Sequence, residues 1–143
     1  MPSSFGGAPD ASWSAAAEAL LVQLVAAAAR SEDARIGRAK PWLRDVHELV
    51  RETAPRRWTL GELAAEAGVH PVHLARSFKR VYGRTVGEYN RAVRLDWAAL
   101  QLLRDEPIGR VALDAGFADQ SHFTRAFRRY TGVTPARYRE LAR

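Results

Sequence analysis

The sequence predicts an all-α fold: two helix-turn-helix subdomains joined by a long central helix and preceded by an N-terminal helix. Three observations predict it. Apolar residues recur at three- and four-residue steps, the spacing that lines one face of an α-helix. Threonine, aspartate and proline stand where helices would start. A block of sequence occurs twice, so one structural unit is used twice. With 47% apolar and 27% charged residues over 143 positions, the chain has the composition of a folded globular protein and the length to bury a core.

In chain order, MPSSFGGAPD opens a tail of about a dozen residues rich in Gly, Pro and Ser. From about Ser14 to Arg30, the spacing of Ala17, Leu20, Leu21, Leu24, Val25 and Ala28 predicts a helix. Two roles fit it: a helix packed on the rest of the chain, or a partner-binding helix that forms a homodimer through residues 14–30. SEDARIGRAK, residues 31–40, is polar and reads as a linker. Pro41 then opens a helix at its first position, where a missing N–H costs nothing. Trp42, Val46, Leu49 and Val50 mark its inner face to about Glu52.

After a break at Pro55, Thr59 and Glu62 form a capping-box pattern for a short helix that ends at Gly68. A second helix runs from Pro71 to Tyr82. A second capping pair, Thr85 and Glu88, starts the long helix, which runs to about Arg104 with Val86, Tyr89, Val93, Trp97 and Leu100 inward. About 19 residues at roughly 1.5 Å each give a rod of about 28 Å. The short helix, the helix from Gln120 to Thr131 and a helix capped by Thr134 complete the chain. The domain plan is therefore 1–36 (tail, helix, linker) and 37–143, the latter made of subdomain 1 (about 41–83), the linker helix (about 85–104) and subdomain 2 (about 107–143).

The repeat joins these elements into one design. LGELAAEAGV (60–69) and IGRVALDAGF (108–117) share Gly61/Gly109, Ala64/Ala112, Ala67/Ala115 and Gly68/Gly116 at an offset of 48. After one inserted residue, Arg76/Arg125, Phe78/Phe127, Arg80/Arg129, Gly83/Gly132, Thr85/Thr134 and Tyr89/Tyr138 agree at an offset of 49. Each copy reads as a short helix, a glycine turn and a second helix closed by glycine.

The two second helices are amphipathic in the same way. Val72, Ala75, Arg76 and Lys79 share one face of the first, opposite Leu74, Phe78 and Val81. In the second, Ser121, Thr124, Arg125 and Arg128 oppose Phe123, Phe127 and Tyr130. Arg76 and Arg125 occupy equivalent places, where a planar guanidinium can donate two hydrogen bonds to guanine O6 and N7 or clamp a phosphate. Gln120, Ser121 and His122, in the first turn after the cap Asp119, can reach base edges. Val72 can meet a thymine methyl, and Ala75 reads less. Lys79, Arg80, Arg84, Thr124, Arg128, Arg129, Thr134, Arg137 and Arg139 flank these faces as phosphate-contact candidates, which set affinity rather than sequence. One turn of B-DNA is roughly 34 Å, so a rod of this length can hold two reading helices in successive major grooves.

Charge agrees with this reading. Lys plus Arg number 22 against 16 acids, a net of +6. Residues 1–36 hold Arg30 and Arg35 against Asp10, Glu18, Glu32 and Asp33, a net of −2, so the remaining residues carry +8. The chain has no cysteine, which excludes a disulfide framework, a thiolate nucleophile and a cysteine zinc site. No cation precedes the apolar run AEALLVQLVAAAA and no stretch reaches about 20 apolar residues, so neither a signal peptide nor a membrane span is expected. The expected location is cytoplasmic, on the nucleoid.

Enzymatic readings fare poorly. His70 and His73 are three apart, as metal ligands on one face can be, but the sequence sets no third ligand beside them. Asp119, Ser121 and His122 are a triad by letter only, because neighbouring residues on one turn point in different directions. No glycine loop for phosphate is present. The expectation is no enzymatic activity, no cofactor and no metal. The other readings of the same helices are a protein-interaction adaptor for an acidic partner and a nonspecific nucleic-acid binder.

ALDAGFADQSHFTRAFRRYTGVTPARYR, with the earlier TLGELAAEAGVHPVHLARSFKRVYG, resembles the DNA-binding domain of AraC/XylS-type bacterial transcription regulators over about residues 40–141. The resemblance implies two helix-turn-helix subdomains on a long helix that bind adjacent major-groove segments of double-stranded DNA and contact RNA polymerase at promoters. It carries the base-reading positions to Val72, Ala75 and Arg76 in one helix, and to Gln120, Ser121, His122 and Arg125 in the other. The small apolar residues of the first helix depart from many members. Many members also carry an upstream β-rich effector domain, for which these 143 residues have no room, so a fragment of a longer regulator and a stand-alone short member are both open readings. Residues 14–30 resemble the helix that precedes the DNA-binding part and often dimerises.

Overall fold

The computed structural model describes residues 11–143, and among these the secondary structure is eight helices with no strand. In order they are α1 (Ala11–Gly37), α2 (Pro41–Glu52), α3 (Leu60–Ala67), α4 (Pro71–Tyr82), α5 (Val86–Leu102), α6 (Ile108–Asp114), α7 (Gln120–Thr131) and α8 (Pro135–Leu141). The start of the expected tail, residues 1–10, lies outside the described residues. The chain divides into two units, Met1–Arg38 and Ala39–Arg143.

The first unit contains α1, which is longer than its apolar run. SEDARIG was expected to be linker, yet it continues the helix to Gly37. No glycine or proline interrupts the backbone between Arg30 and that glycine, and alanine and charged residues sustain a helix. Leu20, Leu21, Val22, Leu24 and Val25 are each 59–67% exposed. Among the described residues no helix is long and apolar enough to cross a membrane.

In the second unit the start signals behave as capping chemistry requires. Thr59 Oγ1 accepts from the Glu62 N–H at 3.2 Å while Glu62 Oε2 accepts from the Thr59 N–H at 2.8 Å. Thr85 and Glu88 repeat the exchange at 3.1 and 2.9 Å. Each pair satisfies two N–H groups that a helix start otherwise leaves without partners. Where the first subdomain uses Thr59 ahead of α3, the second has Pro107 ahead of α6 with no side-chain cap.

The repeat is structural as well as sequential. Gly68 and Gly116 both turn left-handed, at φ +65° and +78°, and the same bonds surround them. Val69 N–H donates to the Ala64 carbonyl and Phe117 N–H to the Ala112 carbonyl, both at 3.0 Å. Gly83 and Gly132 close α4 and α7 at φ +73° and +87°. L-residues enter this region only at a cost, which is why glycine stands at both equivalent pairs.

Two cores form, one per subdomain. Leu43, Val46, Val50, Leu63, Leu74 and Phe78 build the first, together with Val86 and Tyr89 from the start of α5. Val111, Ala112, Phe117, Phe123 and Phe127 build the second, together with Leu95, Ala98 and Leu102 from its end. At 100° per residue, the mean direction of Val86, Tyr89 and Val93 is about 180° from that of Leu95, Ala98 and Leu102. The linker helix therefore packs one side against subdomain 1 and then its opposite side against subdomain 2. This explains a departure from the single inward stripe expected: Leu100 continues the first stripe beyond the end of subdomain 1 and is 59% exposed.

Candidate nucleic-acid interface

The geometry of α4 and α7 follows from the cap and the core residues of each. α7 begins at Asp119, whose Oδ1 accepts from the His122 N–H at 2.7 Å. α4 begins at His70, whose ring Nδ1 accepts from the Val72 N–H at 3.2 Å. Phe123 and Phe127 hold α7 in its core, and Leu74 and Phe78 hold α4, all fully buried. With those faces fixed inward, rotation of each helix is fixed too. Val72 and Arg76 point to solvent and Ala75 is half-buried on α4; Gln120, Ser121, His122 and Arg125 are exposed on α7.

His122 lies edge-on to Phe117 with ring centroids 5.4 Å apart, so its ring is steered by the turn that precedes the helix. Gln120 is steered from the other side: a Cβ built on Gly109 of α6 would meet its Oε1 at 3.1 Å. Glycine at 109 therefore lets the amide lie across α6.

The cations separate into two groups. Ion pairs hold Arg51, Arg56, Arg110, Arg137 and Arg143, each to a nearby acid. Among the described residues, Arg76, Lys79, Arg80, Arg125, Arg128 and Arg129 are exposed and in no ion pair. Six unpaired cations thus stand on α4 and α7, while Arg44, Arg57, Arg91 and Arg104 are further exposed cations of the second unit in no ion pair among the described residues. Arg84 is also exposed and lies over the Tyr89 ring, 4.8 Å from its centroid. Thr124 and Thr134 are half-buried, and Thr134 caps α8 by accepting from the Arg137 N–H at 3.3 Å.

Three expected placements change. Arg139, expected to face phosphate, donates its Nε–H to the Leu102 carbonyl at 3.0 Å and an Nη–H to the Glu106 carbonyl, binding α8 to the end of α5. Arg137 engages Glu140 at 3.1 Å. Tyr130, expected in the core with Phe123 and Phe127, is 47% exposed and donates its O–H to Asp96 Oδ1 on α5 at 2.7 Å. Partial burial and that carboxylate push the phenol up to about 12. Its hydroxyl reaches a carboxylate of α5 instead of joining the second core.

The inward reading of α5 also missed two buried polar residues one turn apart. Asn90 accepts from the Trp58 N–H at 3.1 Å and donates to the Arg56 carbonyl at 2.9 Å, fixing the loop ahead of α3. Arg94 Nη1 donates to the carbonyls of Ala115 and Gly116, each at 3.1 Å, fixing the turn between α6 and α7. Desolvation, with Arg57 and Arg91 nearby, lowers the Arg94 guanidinium from its usual range. Asn90 and Arg94 lie between the two apolar stripes of α5, so spacing from the apolar positions was the one available signal. Among the described residues no group of three or more His, Asp and Glu side chains is placed to hold a metal.

Comparison with known proteins identifies the arrangement. A family model described as a helix-turn-helix domain matches residues 63–141, more than half of the chain. The regulatory protein SoxS of Salmonella typhimurium is 37% identical over 93 residues, which cover 64% of this chain and 87% of SoxS. A probable AraC family transcriptional regulator from Rhodopseudomonas palustris superposes with a TM-score of 0.66 at 26% identity, over 73% of this chain and 99% of that one. The chain belongs to the AraC family of helix-turn-helix transcription regulators. The structure of the AdpA DNA-binding domain in complex with a target DNA also matches this AraC-type fold, with a TM-score of 0.62 at 27% identity over 69% of this chain and 90% of that one. The bifunctional transcriptional activator and DNA repair enzyme AdaA of Bacillus subtilis is 32% identical over 71% of this chain, and the match spans 49% of AdaA.

Proposed function

We propose that this AraC-type chain is a sequence-specific transcription regulator that reads two adjacent major-groove segments of double-stranded DNA with α4 and α7, without enzymatic activity of its own. The observation that carries the reading is the pair of equivalent helices whose exposed faces collect unpaired cations, with Arg76 and Arg125 at matched positions of the repeat. On α7, Arg125 reads a guanine while Gln120, Ser121 and His122 reach neighbouring base edges. On α4, Arg76 reads and Val72 and Ala75 offer apolar contact. Lys79, Arg80, Arg84, Thr124, Arg128, Arg129 and the Thr134 helix start meet phosphates; Arg137 does so by exchanging an exposed, weak ion pair. Arg139 is left to its structural role.

In this reading the protein works in the cytoplasm on the nucleoid and meets RNA polymerase at promoters. The exposed leucines and valines of α1 favour pairing with a second copy through residues 14–30.

The test compares two arginine substitutions on one duplex. Arg125→Ala should weaken a specific site by roughly 1–3 kcal/mol and relax one base preference, whereas Arg129→Ala should weaken all sequences alike and reduce the salt slope by about one. Equal losses on specific and random duplex for Arg125→Ala would remove it as a base reader.

A further inference from the structure

A cleft of about 700 Å³ opens beside α4, a size that small-molecule sites commonly have. Trp58 ahead of α3, Leu60 at its start, Ala75 on α4 and Val86 at the start of α5 form its apolar lining. Its cations, Arg76, Lys79 and Arg80, are exposed and in no ion pair among the described residues, and no acid joins the lining.

The apolar wall is preformed. Trp58 donates its ring N–H to Thr53 Oγ1 at 2.8 Å and its backbone N–H to Asn90 Oδ1 at 3.1 Å, and the Arg56 guanidinium lies over its ring, 3.6 Å from the centroid. A ring held in this way does not turn to close the cleft. Leu60 is 37% exposed and is not among the residues of the first core. The second subdomain keeps the cations, as Arg125, Arg128 and Arg129, but has Glu106 where the first has Trp58 and Thr124 where it has Ala75. The charges therefore belong to the shared design of the two units, whereas the wall of Trp58 and Ala75 is peculiar to the first. A surface apolar on one side and cationic on the other fits a ligand built the same way, and the guanidinium fork matches a carboxylate.

We propose that this cleft binds a small amphipathic anion, an apolar ring system carrying a carboxylate, with its rings against Trp58, Leu60 and Val86 and its carboxylate on Lys79 and Arg80. The bound ligand stands between Arg76 and the groove that α4 enters, so it lowers DNA affinity. That consequence rests on the DNA-reading function proposed above; the binding itself does not.

The test is equilibrium dialysis of the full chain against naphthoate and its neutral counterpart naphthamide. Naphthoate should saturate a single site per chain with a Kd of roughly 0.05–1 mM. The amide should bind about tenfold more weakly, as should naphthoate to Lys79→Gln/Arg80→Gln, through loss of charge-assisted hydrogen bonds. Leu60→Gln, a change at an exposed residue outside the core, should also weaken naphthoate about tenfold by removing apolar contact. It should still bind a duplex recovered by selection from random DNA as the wild type does. Naphthoate should release that duplex from the wild type, and Leu60→Gln should need about tenfold more of it. Equal binding of acid and amide overturns the site, as does wild-type affinity for naphthoate in either variant or the lack of saturable binding. A duplex retained by naphthoate-saturated protein overturns the effect on DNA. If no duplex is bound specifically, the reading function falls, and dialysis still decides the site.

Discussion

At the residue scale, Arg94 and Gly116 show how one buried contact sets the shape of the second helix-turn-helix unit. A Cβ on Gly116 would lie 2.9 Å from Arg94 Nη1, and the backbone there is at φ +78°. Gly68, the equivalent residue, has φ +65° with nothing within 4 Å. Gly68→Ala should therefore cost only the left-handed conformation, about 1–2 kcal/mol, while Gly116→Ala should cost more because Arg94 is pinned and buried. Urea unfolding of the two variants gives the comparison; equal costs would show that the Arg94 contact yields freely. Tyr130 supplies a pH test. Its folded value of about 12 exceeds the ordinary tyrosine value near 10, so the Asp96 bond is intact below pH 10 and its contribution is lost as pH rises towards 12. Between pH 10 and 12 the wild type should lose more stability than Tyr130→Phe, and identical pH profiles would show that this bond contributes nothing.

At the scale of the element, caps do more than start helices. Asp119 fixes the first turn of α7, which carries Gln120, Ser121 and His122. Asp119→Ala should cost about 1 kcal/mol in thermal or urea unfolding and should weaken a specific duplex more than a random one, because the loosened turn holds proposed base readers. A loss confined to stability would separate the cap from recognition. Such elements were legible because capping boxes, prolines and glycines act locally: the starts of α2, α4 and α7 follow from Pro41, Pro71 and Asp119, and the ends of α4 and α7 from Gly83 and Gly132. α1 and α5 were less legible. The polar stretch after Arg30 carries no helix breaker before Gly37, so polarity alone misplaced the end of α1. In α5 the apolar stripe changes sides midway, a property of where the subdomains sit rather than of the helix itself, and that hid Leu95, Asn90 and Arg94 while overstating Leu100.

At the scale of the second unit, the linker helix joins two separately cored subdomains through groups that are buried and hydrogen-bonded. Asn90 holds one side and Arg94 the other, with Arg139 closing the far end on the Leu102 carbonyl. The faces proposed to read DNA sit on this frame, which implies a fixed separation between them. The matched arginines were visible in the repeat, since equivalent positions on equivalent helices need only helical spacing to find. Fixed spacing is therefore the central claim, and selection of bound sequences from a random DNA pool measures it most directly. The recovered motif should contain two half-elements about one helical turn apart with little variation in spacing. A motif with one element, with freely variable spacing, or with no sequence preference would contradict it.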